Sequence, residues 1–281
     1  MFPSLNCRGK LLDFQIPRIM GILNVTPDSF SDGGQYQEIS AALAQVFSML
    51  EAGAELIDIG GYSSRPYADP VSEGEERDRV LPVIEAVQKE FPEALISVDT
   101  FRASVGEAAL RAGAHLINDI SAGALDAGMM DMVGRFEDVP YIMMHMQGTP
   151  QDMQDRPAYE AVTEAVATFF TAKIRAARKA GIKDIVLDPG FGFGKTQLHN
   201  YELLGNLGSF KVFDLPLMVG LSRKSMMYKF FDTEPTDVLE IATALHLQAM
   251  QAGAKLLRVH DVEAARRIRD LYAYLQANGI V

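Results

Sequence analysis

The chain has 281 residues, 48% of them hydrophobic and 22% charged, a composition that supports a large core and argues against a disordered or low-complexity segment. Its formal net charge of −11, from 26 Lys and Arg against 37 Asp and Glu, argues against a sequence-independent nucleic-acid binder or an anionic-membrane binder, since both need clustered positive charge. The lone Cys7 makes no internal disulfide, Cys and His show no zinc spacing, and no apolar run reaches membrane-spanning length. A soluble cytoplasmic protein held together by its core is the expectation.

In chain order, residues 1–17 form an N-terminal extension, followed by a first apolar run at Arg18–Leu23 and a helical pattern at Ile39–Ala52. Strand-like runs then recur at Glu55–Ile59, Leu95–Val98, His115–Asn118, Pro140–Met144, Asp184–Leu187, Leu215–Gly220 and Lys255–Val259. Between and after them lie helical patterns at Glu75–Glu90, Ala103–Ala112, Tyr159–Ala180, Val238–Ala252 and Val262–Gln276. An internal echo supports the alternation. AGAELIDIG from Ala52, AGAHLINDI from Ala112 and AGAKLLRVH from Ala252 each combine a helix end, a Gly suited to a left-handed cap and an apolar strand, and AGIKDIVLD from Ala180 is a looser copy. Eight strand-helix units with no linker or shift of composition predict one (β/α)8 TIM barrel over residues 1–281. A doubly wound sheet is the alternative, and it would use fewer consecutive parallel strands.

Ligand sites of such barrels lie at the C-terminal strand ends, and here every end is polar. In order they carry Asn24, Asp58, Asp99, Asn118-Asp119, His145, Asp188, the run Ser222-Arg223-Lys224-Ser225, and Arg258 with His260-Asp261. Any one alone reads as a helix cap or turn residue. Together, charges that follow buried strand residues are costly unless they pair or bind a ligand. The run GFGFGKT from Gly190 fails as a phosphate loop, because three residues rather than four separate Gly190 from Gly194 and Pro189 stands where a Gly is required. Its glycines suit close backbone approach to a flat ligand, with Phe191 or Phe193 either stacking on that ligand or lying in the core.

GILNVTPDSFSDGG from Gly21, DIGGYSSRP from Asp58, SVDT from Ser97, INDI from Ile117, MHMQGTPQDMQ from Met144, LDPGFGFGK from Leu187, GLSRKS from Gly220 and RVHDV from Arg258 together resemble the dihydropteroate synthase family of pterin-binding barrels. The resemblance implies condensation of 6-hydroxymethyl-7,8-dihydropterin diphosphate with 4-aminobenzoate, giving 7,8-dihydropteroate and diphosphate in folate biosynthesis. It also implies a homodimer that uses Mg²⁺. Carried onto this chain, it assigns Asp188 and Asn118 to the pterin edge, and Asp99 to stabilising positive charge on the exocyclic methylene as diphosphate leaves. Arg258 and His260 would meet the diphosphate, with Asn24 as a ligand of Mg²⁺. Lys224 would contact the pterin, Ser225 and its helix start would receive the aminobenzoate carboxylate, Arg65, Pro66 and Phe193 would wall that pocket, and Ser64 would donate a hydrogen bond. Asp99, Lys224 and Arg258 would carry the catalysis, a dissociative displacement. His145, His199 and His246 are expected to be structural.

The second loop departs from the commoner GGESTRPG, with Tyr62 for the acid, Ser64 for Thr and Tyr67 for Gly. Ser64 keeps the hydroxyl. A barrel moving methyl groups from methyltetrahydrofolate to a corrinoid protein is the alternative reaction, and Asn24, Arg258 and His260 argue against it. A non-catalytic pterin-binding barrel ranks last. The acidic excess is expected on outer helices, in GEERD before Arg79 and in Asp232–Glu240, while Arg65, Lys224, Arg258 and His260 gather at the barrel mouth.

Overall fold

The computed structural model describes residues 4–25, 35–62 and 71–281. Strands β1 (Ser4–Cys7) and β2 (Lys10–Asp13) form an antiparallel hairpin with Cys7 opposite Lys10. Its two-residue turn places both Arg8 (φ 55°) and Gly9 (φ 90°) in the left-handed region, the geometry whose twist matches the flanking strands. Units of strand and helix follow: β3 (Arg18–Asn24), α1 (Gln35–Glu51), β4 (Leu56–Gly60), α2 (Glu73–Glu90), β5 (Leu95–Asp99), α3 (Ala103–Ala112), β6 (Leu116–Asp119), α4 (Met129–Gly134), β7 (Tyr141–Met144) and α5 (Val162–Lys179). They continue with β8 (Ile185–Asp188), α6 (Gln197–Gly205), a 3-10 segment (Leu207–Phe213), β9 (Leu217–Val219), α7 (Ser225–Phe231), α8 (Leu239–Ala252), β10 (Ala254–Val259) and α9 (Val262–Ala277).

The eight strand-like runs are the eight staves of a closed parallel barrel, in the order β10-β3-β4-β5-β6-β7-β8-β9. Pairing of Leu256 with Arg18 and of Val259 with Gly21 closes the sheet on itself, which an open doubly wound sheet cannot do. The repeated Ala-Gly-Ala works as expected: Gly113 (φ 118°) and Gly253 (φ 115°) end α3 and α8 in the left-handed region that only glycine adopts without strain.

Strand alternation sorts the side chains into two sets. Ile19, Ile57, Ile96, Ile117, Ile185 and Leu257 face outward and join the helices in the main core. Met20, Leu56, Leu95, Leu116, Ile142, Val186, Met218 and Leu256, one from each stave, face inward and form an apolar floor. Leu5 and Cys7 of β1, Leu12 of β2 and Phe14 pack on that floor from below. The expected N-terminal extension is therefore a stopper in the bottom of the barrel, and burial pushes the Cys7 thiol up to about 12, which leaves it inert. Two residues further along each strand, on the same inner face, come Ile22, Asp58, Ser97, Asn118, Met144, Asp188, Gly220 and Arg258. At five of these eight positions, Asp58, Ser97, Asn118, Asp188 and Arg258, the inner wall turns from apolar to polar within one pleat repeat.

The acidic surface follows expectation at Asp232, Glu234, Asp237 and Glu240, which are exposed, but not throughout the GEERD run. Glu75 is exposed and closes a capping box with Ser72, whereas its neighbour Glu76 is buried and pairs with Arg102. Helical periodicity turns Glu76 inward, and a buried carboxylate needs that partner.

Candidate active site

Asp58, on β4, is fully buried and lies at the centre of the polar layer. Its Oδ2 accepts from Asn118 Nδ2 at 2.9 Å and from Arg258 Nε at 2.6 Å, while Oδ1 has no partner among the described residues. Arg258 Nη2 donates to Asp99 Oδ2 at 2.7 Å, so one guanidinium from β10 bridges the carboxylates of β4 and β5. Burial works against the charge on Arg258, but Asp58 and Asp99 outweigh it and hold the group protonated. Burial is also what pushes the Asp99 carboxyl up to about 7, against the pull of Arg258. Strand register brings Asn24, Asp99 and Asn118 level: Asn24 lies opposite Gly60, Gly60 opposite Asp99, and Asp99 opposite Asn118.

Asp188 ends β8. Its Oδ1 accepts from the Gly190 amide at 2.8 Å, and Oδ2 makes no hydrogen bond to a described residue. Burial raises its pKa, opposed by that amide and by Lys224, Arg258 and Lys195. The glycines that follow are each held close to a neighbouring loop or side chain. All three have positive φ, and a Cβ on Gly190 would stand 1.9 Å from the His145 carbonyl oxygen, one on Gly194 2.4 Å from that of Gln147. Gly190 and Gly194 let this loop press against the loop after β7, while a Cβ on Gly192 would lie 3.3 Å from Lys224 Cδ. Phe191 is buried in the core, which leaves Phe193 as the available ring, with Lys224 Nζ 4.4 Å from its centroid. Burial and Arg258 lower Lys224 to about 8, with Asp188 and Asp99 opposing.

Lys224 precedes α7 and Ser225 is its first residue; no side chain caps that helix, so its first amides are free of such a partner. Arg223, in the left-handed region at φ 54°, reaches across to Asp261 with two bonds of 3.1 and 2.7 Å, joining the loops after β9 and β10. The His260 amide donates to Ser222 Oγ at 3.2 Å. Burial, with Arg258 and Arg223 nearby, lowers the His260 imidazole to about 4. It is therefore neutral at pH 7 and adds a hydrogen-bonding group, not a cation, to the mouth.

The structure thus brings together Asp99, Asn118, Asp188, Phe193, Lys224, Ser225, Arg258, His260 and Asn24 at the C-terminal end of the barrel. Ser64, Arg65 and Pro66 lie outside the described residues, as do Tyr67 and positions 26–34 of the first loop. Tyr62 is described: its hydroxyl accepts from Gln151 Nε2 at 2.8 Å, and its ring meets Phe101 edge-on at 5.2 Å. His199 takes part in the capping box of α6, His246 is buried in α8, and His145 is buried beside Lys195. Two residues matter more than the sequence suggested. Asp58 reads there as one strand-end acid among several, and Lys195 reads as the end of a failed phosphate loop.

Residues 20–260 match the family model described as pterin binding enzyme. The chain is 44% identical over 281 residues to the dihydropteroate synthase of Escherichia coli (strain K12), covering 98% of this chain and 97% of that one. It is 48% identical over 264 residues to the dihydropteroate synthase of Haemophilus influenzae, covering 93% and 94%. Among solved structures, the Yersinia pestis dihydropteroate synthase with a sulfonamide drug complex superposes with a TM-score of 0.92 at 43% identity, covering 98% of this chain and 100% of that one. The Xanthomonas albilineans dihydropteroate synthase in complex with 7,8-dihydropteroate superposes at 0.88 with 40% identity, covering 98% and 99%.

Proposed function

The chain belongs to the pterin binding enzymes, within them to the dihydropteroate synthase family, and from that premise we propose how its barrel mouth joins 6-hydroxymethyl-7,8-dihydropterin diphosphate to 4-aminobenzoate. The observation that carries the reading is the polar cluster of Asp99, Asn118, Asp188 and Arg258 above the apolar floor. A pterin edge offers an amino group beside a ring N–H, and Asp188 Oδ2, without a partner among the described residues, together with the Gly190-held Oδ1 is a matching acceptor pair. Asn118, held by Asp58, presents an amide to the same edge.

Departure of diphosphate leaves positive charge on the exocyclic methylene, and ionised Asp99 offsets it. Arg258 and His260 donate to the leaving group. The aniline nitrogen of aminobenzoate is unprotonated at neutral pH and traps the cation without a strong base. Its ring lies over Phe193 beside Lys224, and its carboxylate meets Ser225 and the first amides of α7. Ser64, Arg65 and Pro66 are assigned to the same pocket by sequence.

Among the described residues no three His, Cys, Asp or Glu side chains cluster as a metal site. Asn24 ends β3 level with Asp99 and bonds to no other described residue through its side chain, so a hard oxygen donor is available there. It fits Mg²⁺ held jointly with substrate oxygens, where the ion would neutralise diphosphate charge. Exposed Phe230 and Phe231 on α7, ring centroids 4.9 Å apart, support a homodimer that covers them. No helix among the described residues is long and apolar enough to cross a membrane.

The methyl-transfer alternative loses support from relatives at 44% and 48% identity that are dihydropteroate synthases. The direct test is formation of dihydropteroate from the two substrates, with and without Mg²⁺. Product that appears only with Mg²⁺ supports the whole reading, and no product under either condition overturns it.

A further inference from the structure

We infer that Lys195 is a positioning residue for both substrate pockets: its buried ammonium locks the loop bearing Asp188 and Phe193 onto the loop after β7. The side chain, 3% exposed, is turned back into its own loop. Its Nζ lies 2.9 Å from the Gly190 carbonyl oxygen, 3.0 Å from that of Phe193 and 3.0 Å from His145 Nδ1, with the His145 carbonyl oxygen at 3.4 Å. An ammonium has three protons, and the three nearest acceptors match them.

Each acceptor leads to a group the proposed chemistry uses. Gly190 donates its amide to Asp188 Oδ1, so holding the Gly190 peptide sets the carboxylate proposed for the pterin. Phe193 carries the Lys224 ammonium on its ring, so holding its carbonyl sets the wall proposed for aminobenzoate. His145 anchors both to β7, packed edge-on against Phe169 at 4.9 Å. Burial lowers the lysine to about 7, with Asp188 opposing, and lowers His145 to about 3, so the imidazole is neutral and its Nδ1 accepts. The cationic form of the lysine is the one that fills all three acceptors. A Gly-Lys at the end of a glycine-rich loop invites a phosphate, but this ammonium has spent its donors on the protein.

The substrate half of this inference rests on the dihydropteroate reading, and the experiment separates the two. Amide hydrogen exchange of Lys195→Met should lose protection at residues 190–194 and 145–147 and keep it in the barrel strands; unchanged exchange there overturns the lock whatever the reaction. Steady-state kinetics should then show KM for aminobenzoate raised about ten-fold or more, with kcat changed by less than about three-fold. In a Phe193→Ala background the same lysine change should move that KM by less than about two-fold, because the lysine acts through the ring already removed. An unchanged KM in a folded variant, or an equal effect in both backgrounds, overturns the positioning role. Should Lys195→Met not fold, His145→Leu removes one acceptor and should raise the same KM several-fold, and no change in it overturns the role. Wild-type protein that makes no dihydropteroate would instead overturn the functional reading while leaving the exchange result to decide the lock.

Discussion

Replacing Arg258 by alanine leaves two carboxylates of the inner layer without their shared cation. Asp58 keeps only the Asn118 amide at 2.9 Å, and Asp99 loses its bond of 2.7 Å. Truncating one partner of a buried pair costs about 3–5 kcal/mol, and the Asn118 bond that survives argues for the lower end, about 3 kcal/mol at pH 8. The cost depends on pH. Burial, opposed by Arg258, holds the Asp99 carboxyl at about 7, above the ordinary carboxylate range, and without the guanidinium it rises further. An acid whose pKa is raised by folding supports stability at low pH, where it is protonated in both states, and loses that support as pH climbs through its folded value. The penalty in Arg258→Ala therefore grows between pH 5.5 and pH 8, by roughly 1 kcal/mol or more. Urea denaturation followed by circular dichroism at both pH values measures it. Adding Asp58→Asn should return about 1 kcal/mol at pH 8, since it removes a stranded charge. A penalty below about 1 kcal/mol at pH 8, or one equal at both pH values, would refute the internal pairing as described.

Asp188→Asn should weaken pterin binding by about 2 kcal/mol, roughly thirty-fold, by calorimetry, and unchanged affinity would contradict the bidentate match. The profile of kcat/KM against pH should be a narrow bell, rising as Asp99 ionises near about 7 and falling as Lys195 and Lys224 deprotonate near about 7 and about 8. Asp99→Asn should lose the rising limb along with most of the rate. Gly190→Ala, whose Cβ would stand 1.9 Å from the His145 carbonyl, should cost at least about 2 kcal/mol in thermal or urea unfolding. A stable Gly190→Ala protein would mean the two loops are not pressed together.

The eight staves were legible because each buries on both faces and is bounded by turn residues and a helix with its own period. Their polar ends were legible because alternation puts Asp58, Asn118, Asp188 and Arg258 on the face opposite Ile57, Ile117, Leu187 and Leu257. Short elements were not. Helices α4, α6 and α7 have 6, 9 and 7 residues, too few turns for a period to emerge. The hairpin was passed over although Leu5, Cys7, Leu12 and Phe14 alternate around Arg8-Gly9, because its partner surface, the barrel floor, is distant in sequence. The same limit applies to Gly190, Gly194 and Lys195. Their constraints come from His145 and Gln147, some 45 to 50 positions earlier, and no local pattern encodes that contact.

The hairpin fills the bottom of the barrel, so both proposed pockets open at the same C-terminal end, and traffic through one end has an order. In the arrangement proposed above, the pterin seats against the inner layer before aminobenzoate fills the space over Phe193 nearer the rim, because the reverse order would bar the way in. The product must back out by the same route, pterin end last. Dihydropteroate that lingers therefore shuts out both substrates at once, so product inhibition should be competitive against the pterin diphosphate and slow egress a natural brake on the rate.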